Sequence, residues 1–306
     1  MKDAMKLGAG SSLSGRHVDR ETSPRKRVRG GLVTIVRRHP LVVFFVLAYA
    51  FSWWPWPLFA LDLAPGYILG FGPFAAALLV LALTRGKSSI VGLLKGMVRW
   101  RVSPAWYAAA LLIPIGVAIG ATVLNVLLGA PAPTSAELGA WPGLIPTYLL
   151  LLLIPGIGGA WEEPGWRGYA LPKLQAGRSA LSASLLLGVV WAFWHLPLMV
   201  YGTVPWSDIA YVTAVSVVYA WLFNNTGGNV LLAMLFHTMN NVIWGYFFHA
   251  MFTGADWVRM GWLWVALWCA VAIVVTVVNG PEHLSRKHKK QTLAPAEGAK
   301  PAPGVV

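Results

Sequence analysis

The sequence contains little charge and almost no cysteine. Only 11% of its 306 residues are charged, whereas 57% are hydrophobic. With the single cysteine Cys269, the chain can form no intramolecular disulfide, and it has neither a CxxC motif nor a zinc site built on cysteines. A mean hydropathy of +0.62 is typical of a polytopic membrane protein and excludes an ordinary soluble globular protein.

Most of the charge is basic, with 24 Lys and Arg residues against 11 Asp and Glu residues and a net charge of +13. The basic residues lie in the tails and in alternate connections between apolar runs, and no compact soluble region carries them. We therefore predict no nucleic-acid partner. The basic N-terminal segment is instead expected to contact anionic membrane lipid.

Apolar runs of membrane length recur along the chain. A helix needs about 20 apolar residues to cross roughly 30 Å of hydrocarbon. The segment 88–102 also places its apolar residues on one side, which predicts an amphipathic helix in the headgroup plane. The fold class is therefore an all-α polytopic membrane protein, a bundle of about eight transmembrane helices. The predicted spans are at about 41–61, 67–84, 105–129, 144–172, 181–200, 207–224, 228–250 and 260–279.

The distribution of Lys and Arg orients this bundle. Ten precede the first span, five lie between the second and third, three lie between Arg167 and Arg178, and five follow the last span. Only Arg259 falls on the other side. The positive-inside rule therefore places both termini in the cytoplasm. Residues 1–38 and 281–306 are predicted to be disordered basic cytoplasmic segments that flank a transmembrane domain at 39–280.

Acidic residues are nearly absent from the apolar runs. Only Glu162 and Glu163 fall inside one, whereas Asp208 is assigned to a short connection. Because an ionisable side chain in a span costs about 2.5–3.5 kcal/mol, the pair marks a functional site. Glu163 and Arg167 have the i,i+4 spacing of an ion pair. Glu162 points about 100° away and is left free to face a cavity.

Two later spans carry further polar residues at depth. His195 lies in the fifth span, and His237 and Asn241 share one face of the seventh, four residues apart. The depth of each residue follows from a helix rise of about 1.5 Å per residue. Glu162 lies roughly 15 Å from the end of its span. His237 lies roughly 14 Å from the start of its span, and His195 lies roughly 20 Å from the start of its own. All three residues are near mid-depth, so we predict that they share one site.

Three motifs thus occur in order on the fourth, fifth and seventh apolar spans: EExxxR from Glu162, an aromatic residue four positions before His195, and HxxxN from His237. Together they resemble the CAAX-processing and bacteriocin-processing (CPBP, or Abi) intramembrane endopeptidases, which include the type II CAAX prenyl endopeptidases. The resemblance covers about residues 140–250, which it implies are the protease core. One departure is Trp191, because the family usually has phenylalanine there.

The resemblance implies that Glu162 and His195 activate a water molecule and that His237 and Asn241 hold the oxyanion, with Glu163 and Arg167 as supporting residues. Amide hydrolysis needs such a base, a proton for the leaving amine and an oxyanion donor. Zinc stays open as an alternative, with Glu162, His195 and His237 as its ligands. Asparagine is a poor zinc ligand and HxxxN is not HExxH, so we favour a glutamate-type enzyme without a cofactor.

The expected substrate is a peptide or protein, lipidated or plain, that enters from the cytoplasmic side of a bacterial plasma membrane. Two other functions stay open. One is a non-catalytic immunity or scaffold protein with the same fold. The other is a proton-coupled transporter that uses the carboxylates as a relay, although the sequence shows none of the inverted repeats or paired broken helices that are common in transporters.

Overall fold

The computed structural model describes residues 31, 33–66 and 68–286, and within these ranges the chain forms helices and turns but no strand. Most of the predicted disordered segments at 1–38 and 281–306 lies outside the described residues, although residues 33–38 are helical. The α-helices are, in chain order, α1 Pro40–Trp53, α2 Pro55–Phe59, α3 Gly72–Thr84, α4 Lys87–Met97, α5 Pro104–Leu127, α6 Ser135–Gly139, α7 Leu144–Leu153, α8 Glu163–Gly165, α9 Leu171–Gln175, α10 Ala180–Trp194, α11 Leu196–Val200, α12 Asp208–Asn225, α13 Val230–Asn240 and α14 Gly254–Asn279. Short 3-10 turns occupy Trp141–Gly143, Gly159–Glu162 and His249–Met251, and π-helices occupy Trp166–Ala170 and Asn241–Phe248.

The prediction of an all-α polytopic membrane protein is confirmed. Among the described residues, five helical stretches are long and apolar enough to cross a membrane. Helices α3, α10 and α12 lie in the other predicted spans but are shorter or less apolar. The five stretches are Pro40–Phe59, Pro104–Leu127, Ser135–Leu153, Val230–Met251 and Gly254–Asn279.

Helix α12 lies at the centre of the bundle, between α10 and α14. Its buried residues occur on all sides of the helix. Because protein rather than lipid surrounds it, α12 does not need a fully apolar surface. This position accounts for its lower hydropathy.

The predicted fourth span, 144–172, is wrong as a single helix. Helix α7 ends before Ile154, which precedes Pro155 and has an extended ψ of 115°, because the residue before a proline is disfavoured in the α conformation. Gly156 then has a φ of +87°, a conformation that favours glycine. Helical structure resumes only at Gly159. Irregular backbone at membrane depth is tolerated where it is buried in protein or lines a cavity.

The predicted fifth span, 181–200, is also wrong as a continuous helix, because it is interrupted at His195. Helix α10 ends immediately before this residue, whose ψ is 0°. Two residues later, Pro197 lacks the N–H that would pair with the carbonyl of Phe193, and its ring would clash with that carbonyl in a continuous helix. His195 therefore lies in a break between α10 and α11.

Hydrogen bonds between connections define one end of the bundle. Arg99 Nη2 donates to the Gly227 carbonyl at 2.8 Å, and Asn225 Nδ2 donates to the Leu284 carbonyl at 2.8 Å. These segments, together with the flanking tails, carry most of the Lys and Arg residues, so we call this the basic end. It comprises residues 85–103, 176–179, 226–229 and 280–286.

The opposite end, which we call the far end, is joined by a different set of contacts. Arg259 Nε donates to Asn125 Oδ1 at 2.7 Å, and the rings of Phe59 and Tyr201 pack edge to face with centroids 4.9 Å apart. The two ends are therefore distinct, and each groups alternate connections as the predicted topology requires. The far end comprises residues 60–71, 128–134, 201–207 and 252–253.

Candidate active site

A cavity of about 640 Å³ lies where the interrupted helices meet. Its lining includes all four residues that the sequence assigns to catalysis, which are Glu162, His195, His237 and Asn241. The three stretches that were expected to converge therefore do line one space. The catalytic roles of these residues stay predictions, and their surroundings show what each side chain is able to do.

Two tryptophans hold Glu162, which is 4% exposed. Its Oε2 accepts hydrogen bonds from Trp191 Nε1 at 2.7 Å and from Trp166 Nε1 at 3.2 Å. No donor from the described part of the chain contacts its Oε1. The carboxylate is therefore fixed through one oxygen, while the other is left to a molecule in the cavity.

The predicted pairing of Glu163 with Arg167 is present, with Arg167 Nη1 at 3.0 Å from Glu163 Oε1 and both side chains buried. The same oxygen lies 2.7 Å from Nδ1 of His237, a contact between distant spans that the sequence did not indicate. Because an ionised carboxylate only accepts hydrogen bonds, this geometry places the hydrogen on Nδ1. Glu163 thus fixes the orientation of the His237 ring.

Arg167 is buried between two aromatic rings. Its guanidinium carbon lies 4.2 Å from the centroid of Trp191 and 3.8 Å from that of Tyr219. Its Nη2 also donates to Ser216 Oγ at 3.2 Å. The planar guanidinium suits this stacked position in a way that a lysine ammonium does not. Arg167 therefore has a structural role beside the cavity.

His195 faces a carboxylate that the sequence analysis assigned to a connection. Asp208 is the first residue of α12 and lines the cavity, and its Oδ2 lies 3.7 Å from His195 Nδ1. This distance is too long for a hydrogen bond but close enough for charge to act between the groups. The assignment of Asp208 to a connection was wrong, because Asp208 is the first residue of α12. A carboxylate at the very start of an apolar span was the available signal.

Asn241 begins the π-helix that follows α13. A π-helical turn widens the helix, and such turns are frequent at functional sites. The neighbouring Asn240 also lines the cavity, but its Nδ2 donates to the Phe236 carbonyl of its own helix at 2.8 Å. Asn241 is thus the freer of the two amides.

Two further residues of the site were not recognised from the sequence. A methyl group placed on Gly159 would overlap the ring of His237, so His237 can hold its position only beside glycine. His249 is buried, lines the cavity and stacks between Trp244 and Trp257, with ring centroids 4.1 and 4.4 Å apart. The GIGG run before Glu162 was a sequence signal for the role of Gly159. Nothing in the local sequence indicated the position of His249.

The side chains do not fit a bound metal ion. Across the described ranges, no three His, Cys, Asp or Glu side chains come close enough together to hold one. Of the three ligands considered for zinc, Glu162 accepts two indole N–H groups at Oε2, and His237 uses Nδ1 toward Glu163.

Comparisons with known proteins support the resemblance seen in the sequence. Residues 141–243 match the sequence model of a family described as type II CAAX prenyl endopeptidase Rce1-like. The chain is also 27% identical over 139 residues to CAAX prenyl protease 2 of Methanococcus maripaludis. That match covers 39% of this chain and 50% of the relative, so the chain spans about half the length of the curated relative that it matches. The predicted resemblance to this class of protease is confirmed.

Proposed function

We propose that this chain, whose residues 141–243 are similar to type II CAAX prenyl endopeptidases, is an intramembrane endopeptidase. One observation carries the proposal: Glu162, His195, His237 and Asn241 line one cavity, where two interrupted spans meet α13 and its π-helix. Such a cavity has room for water and for a stretch of extended peptide. The natural substrate is a peptide or protein, lipidated or plain.

In the proposed reaction, Glu162 acts as the base. Its Oε1 takes a proton from a water molecule, and the water oxygen attacks the carbonyl carbon of the scissile peptide bond. The carbon–nitrogen bond of the tetrahedral intermediate then breaks, and Glu162 returns the proton to the leaving amine. The indole donors of Trp191 and Trp166 keep Oε2 in place through both steps. The carboxylate is therefore pre-oriented, which is the main requirement for a base that acts twice.

His237 and Asn241 are proposed to stabilise the oxyanion. Since Nδ1 of His237 points its hydrogen at Glu163, the ring can donate a second hydrogen bond only through a protonated Nε2. In the proposed role Nε2 carries a hydrogen and points it at the developing oxyanion, which is the stabilising arrangement. The amide N–H₂ of Asn241 supplies the other donor.

His195 is proposed to hold the water together with Glu162. Its break between two helices places the ring at the cavity wall. Asp208, 3.7 Å from Nδ1, biases the ring toward presenting Nε2 to the cavity. Asp208 therefore acts as a positioning residue and not as a second base.

We expect His195→Gln to lower peptide cleavage by about 10²-fold, the lower range for loss of acid–base assistance. The assay uses the purified full chain in detergent with fluorogenic peptides, prenylated and plain. His39→Gln, a change at an exposed histidine outside the cavity, is the matched control and should cleave like the parent. Undiminished cleavage by a folded His195→Gln variant would contradict the assignment of His195, and absence of cleavage by the parent on all peptides would contradict the proposed function.

Trp191→Phe tests the hydrogen bond that fixes Glu162. Phenylalanine keeps a ring beside Arg167 but removes the N–H that lies 2.7 Å from Glu162 Oε2. Losing one hydrogen bond to a charged group costs about 1.5–3 kcal/mol, so we expect a drop in kcat of about 10-fold or more with little change in KM. An unchanged kcat would show that Trp166 alone suffices to hold the carboxylate. The variant Trp206→Phe, at an exposed tryptophan, serves as the control.

A further inference from the structure

The cavity is lined by connections from only one end of the bundle. At the far end, Gly70, Thr203 and Pro205 all belong to its wall, together with Trp257 near the start of α14. No residue of the four basic-end segments is part of the lining. The cavity therefore opens toward the far end.

The side of the cavity that faces the basic end is filled by packed side chains. Glu163, Arg167 and Trp166 have no exposed surface, and Trp194 is 1% exposed. Arg167 is further enclosed by the rings that stack on it. A peptide that approached from the basic end would have to displace this layer before it reached Glu162.

The distribution of Lys and Arg indicates which side of the membrane each end of the bundle faces. Apart from the buried Arg167, from Lys173 in α9 and from Arg259, every Lys and Arg of the chain lies in the basic-end segments or in the flanking tails. Arg259, at the far end, is paired with Asp256 at 2.7 Å. Under the positive-inside rule the basic end faces the cytoplasm, and the far end faces the opposite compartment.

We infer that the cavity receives its substrate from the non-cytoplasmic side of the membrane. The substrate class is then an extended segment of an exported or membrane-anchored polypeptide that has already crossed the bilayer. A lipidated cytoplasmic protein does not reach Glu162 by this route, so this inference differs from the expectation of entry from the cytoplasm. The inference rests on the proposed function for its chemistry, but the orientation and the opening can be measured without it.

Site-directed labelling tests the orientation. In a Cys269→Ala background, Thr203→Cys places a thiol at the cavity mouth, and Ser88→Cys places one on α4 at the basic end. Sealed right-side-out and inverted membrane vesicles are treated with a membrane-impermeant maleimide. We expect Thr203→Cys to react only in right-side-out vesicles and Ser88→Cys only in inverted ones. The reverse pattern would overturn the inference. Ser135→Cys, at an exposed position outside the cavity wall, reports the far end if the Thr203 variant does not fold.

Peptide cleavage in the same vesicles tests the route itself. A soluble, impermeant fluorogenic peptide is added to either preparation, with Glu162→Gln as the inactive reference. We expect cleavage in right-side-out vesicles only. Cleavage confined to inverted vesicles would overturn the inference. If neither preparation cleaves while the labelling is as expected, the proposed protease activity fails and the far-end opening of the cavity stands.

Discussion

Replacing Glu162 with glutamine is expected to lower peptide cleavage by about 10²- to 10⁴-fold, the range for loss of a general acid–base group. Glutamine has nearly the same size and keeps an amide oxygen that can accept the indole hydrogens of Trp191 and Trp166. The surroundings of the side chain are therefore preserved, while the group that takes and returns the proton is lost. The loss should appear in kcat, measured with the purified chain in detergent.

A matched variant separates chemistry from folding. Glu137→Gln changes an exposed glutamate in a capping box far from the cavity, and it should leave cleavage unchanged. Equal thermal stability of the parent, Glu137→Gln and Glu162→Gln would show that the fold is intact. If Glu162→Gln then cleaved as fast as the parent, another residue would have to be the base. A transporter or a non-catalytic scaffold would show no cleavage in any of the three.

Replacing Arg167 with methionine is expected to lower the free energy of unfolding by about 3–5 kcal/mol, the usual cost of removing one partner from a buried ion pair. Glu163 would keep only His237 as a partner in a site that excludes water. The stacking with Trp191 and Tyr219 would lose its cationic component as well. Equilibrium unfolding of the purified protein in detergent measures the difference.

Arg259→Met is the control for this experiment. Arg259 pairs with Asp256 at 2.7 Å, but both side chains are about one-third exposed, at 32% and 30%. Pairs that are open to solvent contribute about 0–1 kcal/mol, and the hydrogen bond from Arg259 to Asn125 adds about 1 kcal/mol, so the loss should be smaller. Equal losses in the two variants would contradict the structural role assigned to the buried pair.

Features that depend on local spacing could be predicted from the sequence. The Glu163–Arg167 pair follows from i,i+4 geometry, and the shared depth of Glu162, His195 and His237 follows from helix rise, so the cavity itself was foreseeable. The prediction that spans 144–172 and 181–200 are continuous was wrong because hydropathy ignores the backbone. Their breaks depend on prolines and glycines inside runs that remain fully apolar.

Contacts between distant spans could not be predicted from one sequence. Nothing near His237 in the chain indicates that Glu163 will bond its Nδ1 or that Gly159 will lie against its ring. Asp208 was missed for the same reason, since its importance arises only when α12 packs beside the break at His195. Trp191 was noted as an unusual residue, but its hydrogen bond to Glu162 depends on how two spans are rotated toward each other.

One oxygen of Glu163 contacts both Arg167 and His237. This shared contact limits which mutations can stabilise the fold without loss of activity. Exchanging a buried ion pair for well-packed hydrocarbon often strengthens a fold. Here such an exchange would also remove the hydrogen bond that orients His237. A more stable fold would therefore have a lower catalytic rate. Selection for thermal stability alone is therefore expected to replace Glu163, whereas selection for activity retains it.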